Sequence, residues 1–204
     1  MCYLVEYRQR GFTLIELLVA MVISTILLGA VVSTFIVQRR SYAIQEEMTE
    51  MVQTARAAMD MMTREVRVAG YNPKGAAFYG IPYDPTQLQI RADLRGKKKH
   101  DPPDKDINDP NENIVYTHDA ANFQIDRNTG GGPQPFAENI QAFSFDYLDS
   151  NGSPVTATAD IRQIRITITA RSAGRDPNYS ANDGYRTYTL TSLVTPMNLA
   201  CRQG

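Results

Sequence analysis

Glu16 is the residue whose type and position most clearly suggest chemistry, because it is the only charge in the apolar run 12–37. An ionised acid inside a membrane helix is energetically expensive. A cut between Gly11 and Phe12 would place a positive α-ammonium near this carboxylate, and two opposite charges are tolerable together where each alone is costly. The pair closes within one chain or between two packed chains. Alternatively, Glu16 only reaches the membrane interface from the helix end.

The acidic segment 101–112 is the second group of residues with chemical potential. Its residues Asp104, Asp106 and Asn108 alternate as the ligands of calcium loops do. The sixth position of such a loop would be Asp109, where glycine is required, and the twelfth is not an acid. A non-standard calcium site is therefore one interpretation of the segment, and a solvated acidic loop is the other.

Motifs of enzymatic chemistry are missing from the sequence. The two histidines, His100 and His118, form no Cys/His cluster with zinc spacing. There is no G-x-S-x-G motif, and the glycine run 130–132 lacks the Lys-Ser/Thr pair of a phosphate-binding loop. We therefore expect no enzymatic activity and no cofactor. The formal net charge of −1 also gives no reason to expect nucleic acid as a partner.

The cysteines give little support for a disulfide. Cys2 lies in the N-terminal head and Cys201 lies three residues from the end. If the head is removed, the mature chain has one thiol and forms no internal disulfide. We interpret Cys201 as an inert thiol, free or paired between chains in an oxidising compartment.

The element that must position Glu16 is a transmembrane helix over residues 12–38. About 20 apolar residues cross a bilayer core, and this run is too long for an ordinary secretory signal, with no A-x-A-like site after it. The basic head favours a cytoplasmic N-terminus, although two arginines follow the apolar run. Residues 1–11 are expected to be a cleaved leader.

An amphipathic stem over residues 39–70 is expected to continue the same helix. Gly70 suits a left-handed C-cap and Pro73 cannot continue a helix. The stripe is expected to pack against a sheet, although a Met-rich face also suits an adaptable partner surface. Apolar residues recur at steps of three and four, at Met48, Met51, Val52, Ala55, Ala58, Met59, Met62, Val66 and Ala69.

Residues 71–204 change to the alternating pattern of β-strands. The clearest strand is 161–170, where Ile164, Ile166 and Ile168 face one way and polar residues face the other. We expect an antiparallel meander laid on the stem, in which Asn151-Gly152 marks a turn. The other strand candidates are 78–83, 87–92, 113–118, 121–127, 139–148 and 185–195. The polar segments 93–113, 129–135 and 171–184 are expected to be exposed loops.

The string RGFTLIELLVAMVIS resembles the class III signal of type IV prepilins and pseudopilins. The resemblance implies that prepilin peptidase cuts after Gly11 on the cytoplasmic side and methylates the new N-terminal Phe12. It also implies an assembly role for Glu16, with Thr13 fitting the same pattern. The fold expected on these grounds is α+β: a long N-terminal helix, transmembrane in its first half and amphipathic in its second, packed on an antiparallel β-sheet domain.

Two further strings, MTREVRVAGYNP and NIQAFSFDYLDSNG, resemble PilW-type minor pilins. This resemblance implies a bacterial inner-membrane precursor with a periplasmic domain at 71–204. Such a subunit assembles with other minor pilins and the major pilin, initiates or caps the filament, and serves adhesion or motility. Two alternatives remain open: a J-type pseudopilin of a type II secretion system, and a membrane-anchored periplasmic module that binds calcium or mediates adhesion.

Overall fold

A computed structural model describes residues 11–98 and 100–200 of the chain. The chain forms two compact units: unit 1 extends to Glu46, and unit 2 begins at Glu47. Most of the expected leader and Cys201 lie outside the described residues. Helix α1 spans Leu14–Val68, which confirms the prediction of one long N-terminal helix without a break. The helix begins just after Thr13, and Gly70 follows it with a left-handed φ of 78°.

In unit 1, α1 is apolar up to Val37 apart from Glu16, and the side chains of residues 14–43 are exposed. Within the described chain, α1 is the one helix long and apolar enough to cross a membrane. Three of its hydroxyl groups donate hydrogen bonds to carbonyl oxygens four residues earlier: Thr25 to Met21 at 2.8 Å, Ser33 to Gly29 at 2.9 Å and Thr34 to Ala30 at 3.0 Å. These side chains therefore add no unsatisfied donor to an apolar environment.

In unit 2, α1 packs its apolar stripe into the core, as the periodicity predicts. The buried residues are Met51, Ala55, Ala58, Met59, Met62, Val66 and Ala69, and Val52 is partly buried against them. Met48 was expected in this stripe but is 39% exposed. The prediction is wrong there because the buried core begins one helical turn later, at Met51.

In the part of the chain that the structure describes, seven strands form two antiparallel sheets, and the strands follow chain order within each sheet. The expected meander is thus divided, and Asn139, with a φ of 57°, stands between the two sheets. The four-stranded sheet contains β1 Leu88–Arg91, β2 Asn113–Asp119, β3 Gln124–Asn128 and β4 Gln134–Glu138. The three-stranded sheet contains β5 Ile140–Leu148, β6 Gln163–Arg171 and β7 Thr187–Val194. In β6, Ile164, Ile166 and Ile168 are buried as predicted. A short helix α2, Met197–Ala200, follows the last strand.

One strand prediction is wrong, and one strand was not predicted. Segment 78–83 is irregular, because Gly80 lies against the end of α1 and its carbonyl oxygen accepts a hydrogen bond from Arg91 N at 2.7 Å. Strand β4 occupies residues that were expected to belong partly to a glycine-rich loop. Pro135 is tolerated there because β4 is an edge strand.

The turn predicted at Asn151-Gly152 is present, but it does not join two neighbouring strands directly. Gly152 has a φ of 82°, and Asp149 Oδ1 accepts hydrogen bonds from Asn151 N at 2.8 Å and Ser153 N at 2.9 Å. The chain then forms a bridge between Pro154 and Leu148 before it reaches β6.

Candidate functional site

The first turn of α1 holds the Glu16 carboxylate in a capping box with Thr13. Thr13 N and Thr13 Oγ1 each donate a hydrogen bond to Glu16 Oε2 at 2.9 Å, and Glu16 N donates to Thr13 Oγ1 at 3.3 Å. This reciprocal arrangement satisfies donors that a helix N-terminus otherwise leaves free. Sequence reasoning missed it, although the spacing Thr13-x-x-Glu16 is the signal that would have found it.

The capping box lowers the free-energy cost of placing an ionised acid in an apolar helix. A carboxylate that accepts two hydrogen bonds within its own chain is less costly to bury than a free one. The same bonds direct the carboxylate back toward the helix N-terminus, where the dipole favours a negative charge. Glu16 is therefore held toward the place where a cut after Gly11 would create an amine.

Gly11 and Phe12 lie exposed before the helix begins. A Cβ added at Gly11 would meet no described heavy atom within 4 Å, and its φ is not left-handed. The fold of the described chain therefore imposes no need for glycine at this position. Any such need would come from an enzyme that binds this backbone.

Asp104 and Asp106, two of the metal candidates, lie close to Asp109, which was not among them. The carboxylates of these three residues lie within 4.8 Å of one another. Asn108 instead donates its backbone N–H to Asp106 Oδ1 at 2.9 Å, and Asp106 N donates to Asp104 Oδ1 at 3.3 Å. Such local turns bring the acids together without an ion.

Within this acidic group, the ionised form of Asp109 is destabilised by its surroundings. Its desolvation, together with the negative charges of Asp104 and Asp106, raises the pKa of the Asp109 carboxyl above its usual value. Asp109 Oδ2 is buried and accepts no hydrogen bond within the described residues. Oxygen ligands of this kind are those that calcium takes in proteins, so the donor set fits a divalent cation but does not require one.

The segment 93–113 was expected to be an exposed loop, and this is wrong at both of its ends. Asp93 is fully buried, and its carboxylate accepts hydrogen bonds from Asp104 N at 3.2 Å and Lys105 N at 3.1 Å. Glu112 is 1% exposed, and its Oε1 accepts from Leu94 N at 2.7 Å. The two carboxylates therefore hold this segment in place by accepting hydrogen bonds from its own backbone.

The segment 171–184 is likewise held in place, although it was expected to be an exposed loop. Asp176 is 6% exposed and forms an ion pair of 2.8 Å with Arg186. The Arg171 guanidinium lies 3.5 Å from the ring centroid of Phe123 and 4.6 Å from that of Tyr185. These contacts between distant parts of the chain could not be inferred from a locally polar composition.

Glu65, Tyr116 and Arg127 form a polar cluster, the Glu65 clasp, that joins α1 to β2 and β3. Tyr116 Oη donates to Glu65 Oε2 at 2.5 Å, and Arg127 Nη2 donates to Glu65 Oε1 at 2.7 Å. Burial and the neighbouring carboxylate raise the pKa of the Tyr116 phenol well above its ordinary value. The clasp fixes the helix on the sheet and was not foreseen from the sequence.

Residues 7–32 match the family described as the prokaryotic N-terminal methylation motif. Among solved structures, the chain is similar to a type IV-like pilin, TTHA1219 from Thermus thermophilus, with 13% identity and a TM-score of 0.48. The similarity covers 73% of this chain and 96% of that one, and at this level it carries no argument by itself. No curated protein sequence shows significant similarity to this chain.

The matched motif covers the start of one long helix, α1, whose first part is apolar and which leads into the antiparallel sheets. The N-terminal part of this chain is therefore similar to that of proteins with the prokaryotic N-terminal methylation motif.

Proposed function

We propose that the chain is a minor pilin of a type IV pilus, made as a membrane-anchored precursor that is cleaved after Gly11. The observation that carries the proposal is the methylation motif at residues 7–32, which ends in the apolar part of α1. Prepilin peptidase processes the precursor at the cytoplasmic face of the bacterial inner membrane. The subunit then assembles with the major pilin and other minor pilins to initiate or cap the filament.

The capping box supplies a mechanism for the step from membrane to filament. Cleavage creates an α-ammonium on Phe12, and its methylation in a separate step keeps the positive charge. This group is next to Thr13, whose backbone N–H and hydroxyl already hold Glu16. The ammonium neutralises the carboxylate, either in the same chain or in a neighbouring subunit. A pair formed between subunits fixes their axial offset, because each charge is costly in an apolar filament core unless it meets its partner.

Replacement of Gly11 tests the processing step. We expect Gly11→Val to leave the leader attached, because a branched side chain at the scissile bond hinders the peptidase while the fold itself tolerates it. Intact-mass analysis of the protein isolated from membranes measures the outcome. Gly29→Ala is the matched control, since Gly29 also has open space around it within α1. Normal removal of the leader from the Gly11 variant would contradict the proposal.

A J-type pseudopilin of a type II secretion system is the nearest alternative, because it shares the anchor and the type of stem. Deletion of the protein separates the two. Loss of surface pili and twitching supports the minor pilin, whereas loss of exoprotein release with intact pili supports the pseudopilin. Isolation of the native protein with its co-assembled subunits identifies the partners.

A membrane-anchored periplasmic calcium-binding or adhesion module is the alternative from another class. It is favoured by one observation, the grouping of Asp104, Asp106 and Asp109. Calorimetric titration of the full chain with Ca²⁺, beside an Asp109→Asn variant, measures this directly. Heat and a thermal shift that the variant loses would support calcium binding, and their absence in the wild type would remove this alternative.

A further inference from the structure

An apolar groove in unit 2 lies between α1 and the first strand, and no role described so far uses it. We call it the α1–β1 groove. It has a volume of about 310 Å³, with Met61 and Val68 from α1 on one side and Leu94, after β1, on the other. These three side chains are 39%, 43% and 40% exposed. Exposed apolar groups gathered around one groove are typical of a binding surface.

Glu112 also lines this groove, and its charge is unmatched within the described residues. Its Oε1 accepts hydrogen bonds from Leu94 N at 2.7 Å and Arg95 N at 2.8 Å. Its Oε2 is buried and has no hydrogen-bond partner in the described chain. None of the ion pairs among described residues includes Glu112. A buried acceptor without a donor is costly, and more so when it is charged.

The other charged residues of the groove neutralise each other. Arg127 Nη2 lies 2.7 Å from Glu65 Oε1, so this acid and this base form one pair within the Glu65 clasp. The formal charge of the groove is therefore negative, and it comes from Glu112. A cation satisfies this charge, whereas an anion would be repelled by it.

We propose that the α1–β1 groove binds a segment of another pilin subunit that presents an apolar side chain next to a cationic one, such as Leu followed by Arg. The apolar side chain fills the space between Met61, Val68 and Leu94. The cationic side chain supplies the hydrogen-bond donor and the positive charge that Glu112 lacks. That the partner is a pilin subunit rests on the proposed function, whereas the chemistry of the occupant rests on the groove alone.

Three short peptides separate the two components of this recognition. The full chain is placed in lipid nanodiscs with ¹³C-methyl methionine, and the Met61 methyl signal is identified through a Met61→Leu sample. We expect N-acetyl-Leu-Arg-amide to shift this signal saturably. N-acetyl-Leu-Glu-amide lacks the cation and N-acetyl-Gly-Arg-amide lacks the apolar side chain, and each should bind about tenfold or more weakly. Equal binding of all three, or no saturable shift, overturns the proposal.

Substitutions in the groove test the same proposal from the protein side, and more than one is used so that a folding defect in one variant does not decide the result. Glu112→Gln retains an acceptor for Leu94 N but loses the charge, and it should weaken N-acetyl-Leu-Arg-amide about tenfold. Leu94→Glu alters an exposed position and should abolish the shift even if the first variant fails to fold. Leu193→Glu, at a residue that is 55% exposed on β7, is the matched control and should bind normally. An equal loss in this control overturns the proposal.

Failure of this inference is distinguishable from failure of the proposed function. The peptide titration reports on the groove alone, whereas the N-terminal residue of the protein from its host reports on processing alone. The wild type could also form a dimer in nanodiscs that the Leu94→Glu substitution dissociates. In that case the groove binds a second copy of this chain, and the assignment to a different subunit is overturned.

Discussion

At the scale of single residues, the protein relies on carboxylates that are satisfied by their own chain. Glu16 accepts hydrogen bonds from Thr13, Glu65 from Tyr116 and Arg127, and Asp93 from two backbone N–H groups. Of these only the Glu16 arrangement has a local sequence signature. The others join residues far apart in the chain, and no spacing rule in the sequence marks them.

Thr13 is the residue whose replacement tests the capping box. We expect Thr13→Val to weaken the first turn of α1 by about 1 kcal/mol, because an N-cap side chain without a hydroxyl cannot complete the box. Hydrogen exchange of the first-turn amides in nanodiscs measures this as faster exchange. Thr13→Ser retains the hydroxyl and should exchange like the wild type, so equally slow exchange in the valine variant would refute the role of the box.

Tyr116 tests the Glu65 clasp. We expect Tyr116→Phe to reduce the free energy of unfolding by about 1–3 kcal/mol, because Glu65 Oε2 loses its donor in a largely buried place. Thermal unfolding of the detergent-solubilised chain measures the change. Tyr79→Phe is the control, since Tyr79 is 52% exposed. An equally large decrease in the free energy of unfolding of this variant would show that the hydrogen bond to Glu65 does not stabilise the fold.

The Tyr116 phenol also makes the stability difference between the wild type and Tyr116→Phe depend on pH. Because the folded pKa of Tyr116 is raised, its contribution to stability is fully present below the ordinary tyrosine value of about 10 and is lost as the pH rises through the raised value. The stability difference between the wild type and Tyr116→Phe should therefore be constant at neutral pH and shrink in strong alkali.

At the scale of elements, local patterns predicted most of what the chain forms. The long helix, its buried stripe and its end at Gly70 follow from periodicity and capping residues, and alternation marks the centres of most strands. The patterns failed where one element contacts another. Segment 78–83 alternates like a strand but lies against the end of α1, and β4 follows a glycine run that resembles a loop.

Gly80 lies very close to the backbone that follows the end of α1, and this contact gives an element-scale prediction. A Cβ on Gly80 would lie 2.3 Å from Gly70 N and 2.4 Å from Gly70 Cα, which are backbone atoms that cannot move aside cheaply. We expect Gly80→Ala to destabilise unit 2 by about 1–3 kcal/mol or more, as overpacking does. Chemical denaturation measures this against Gly131→Ala, which meets nothing within 4 Å. Equal stabilities of the two variants would contradict the close approach.

At the scale of the whole molecule, the proposed function assigns a different task to each of the two units. Unit 1 carries the apolar helix and the Glu16 capping box, and unit 2 carries the sheets, the two supported loops and the α1–β1 groove. In this account unit 1 provides the attachment that pilins have in common, while unit 2 selects the neighbours. This proposed division agrees with a sequence resemblance that is most specific in the first forty residues, to which the proposed function assigns anchoring and processing.

The most direct test of this account is the mass of the N-terminal peptide of the protein isolated from its host. If proteolysis supplies the positive charge that Glu16 needs, the mature chain begins with N-methylated Phe12, and no peptide from residues 1–11 remains attached. A chain that still begins at Met1 in assembled filaments would contradict the account, because Glu16 would then function without the amine.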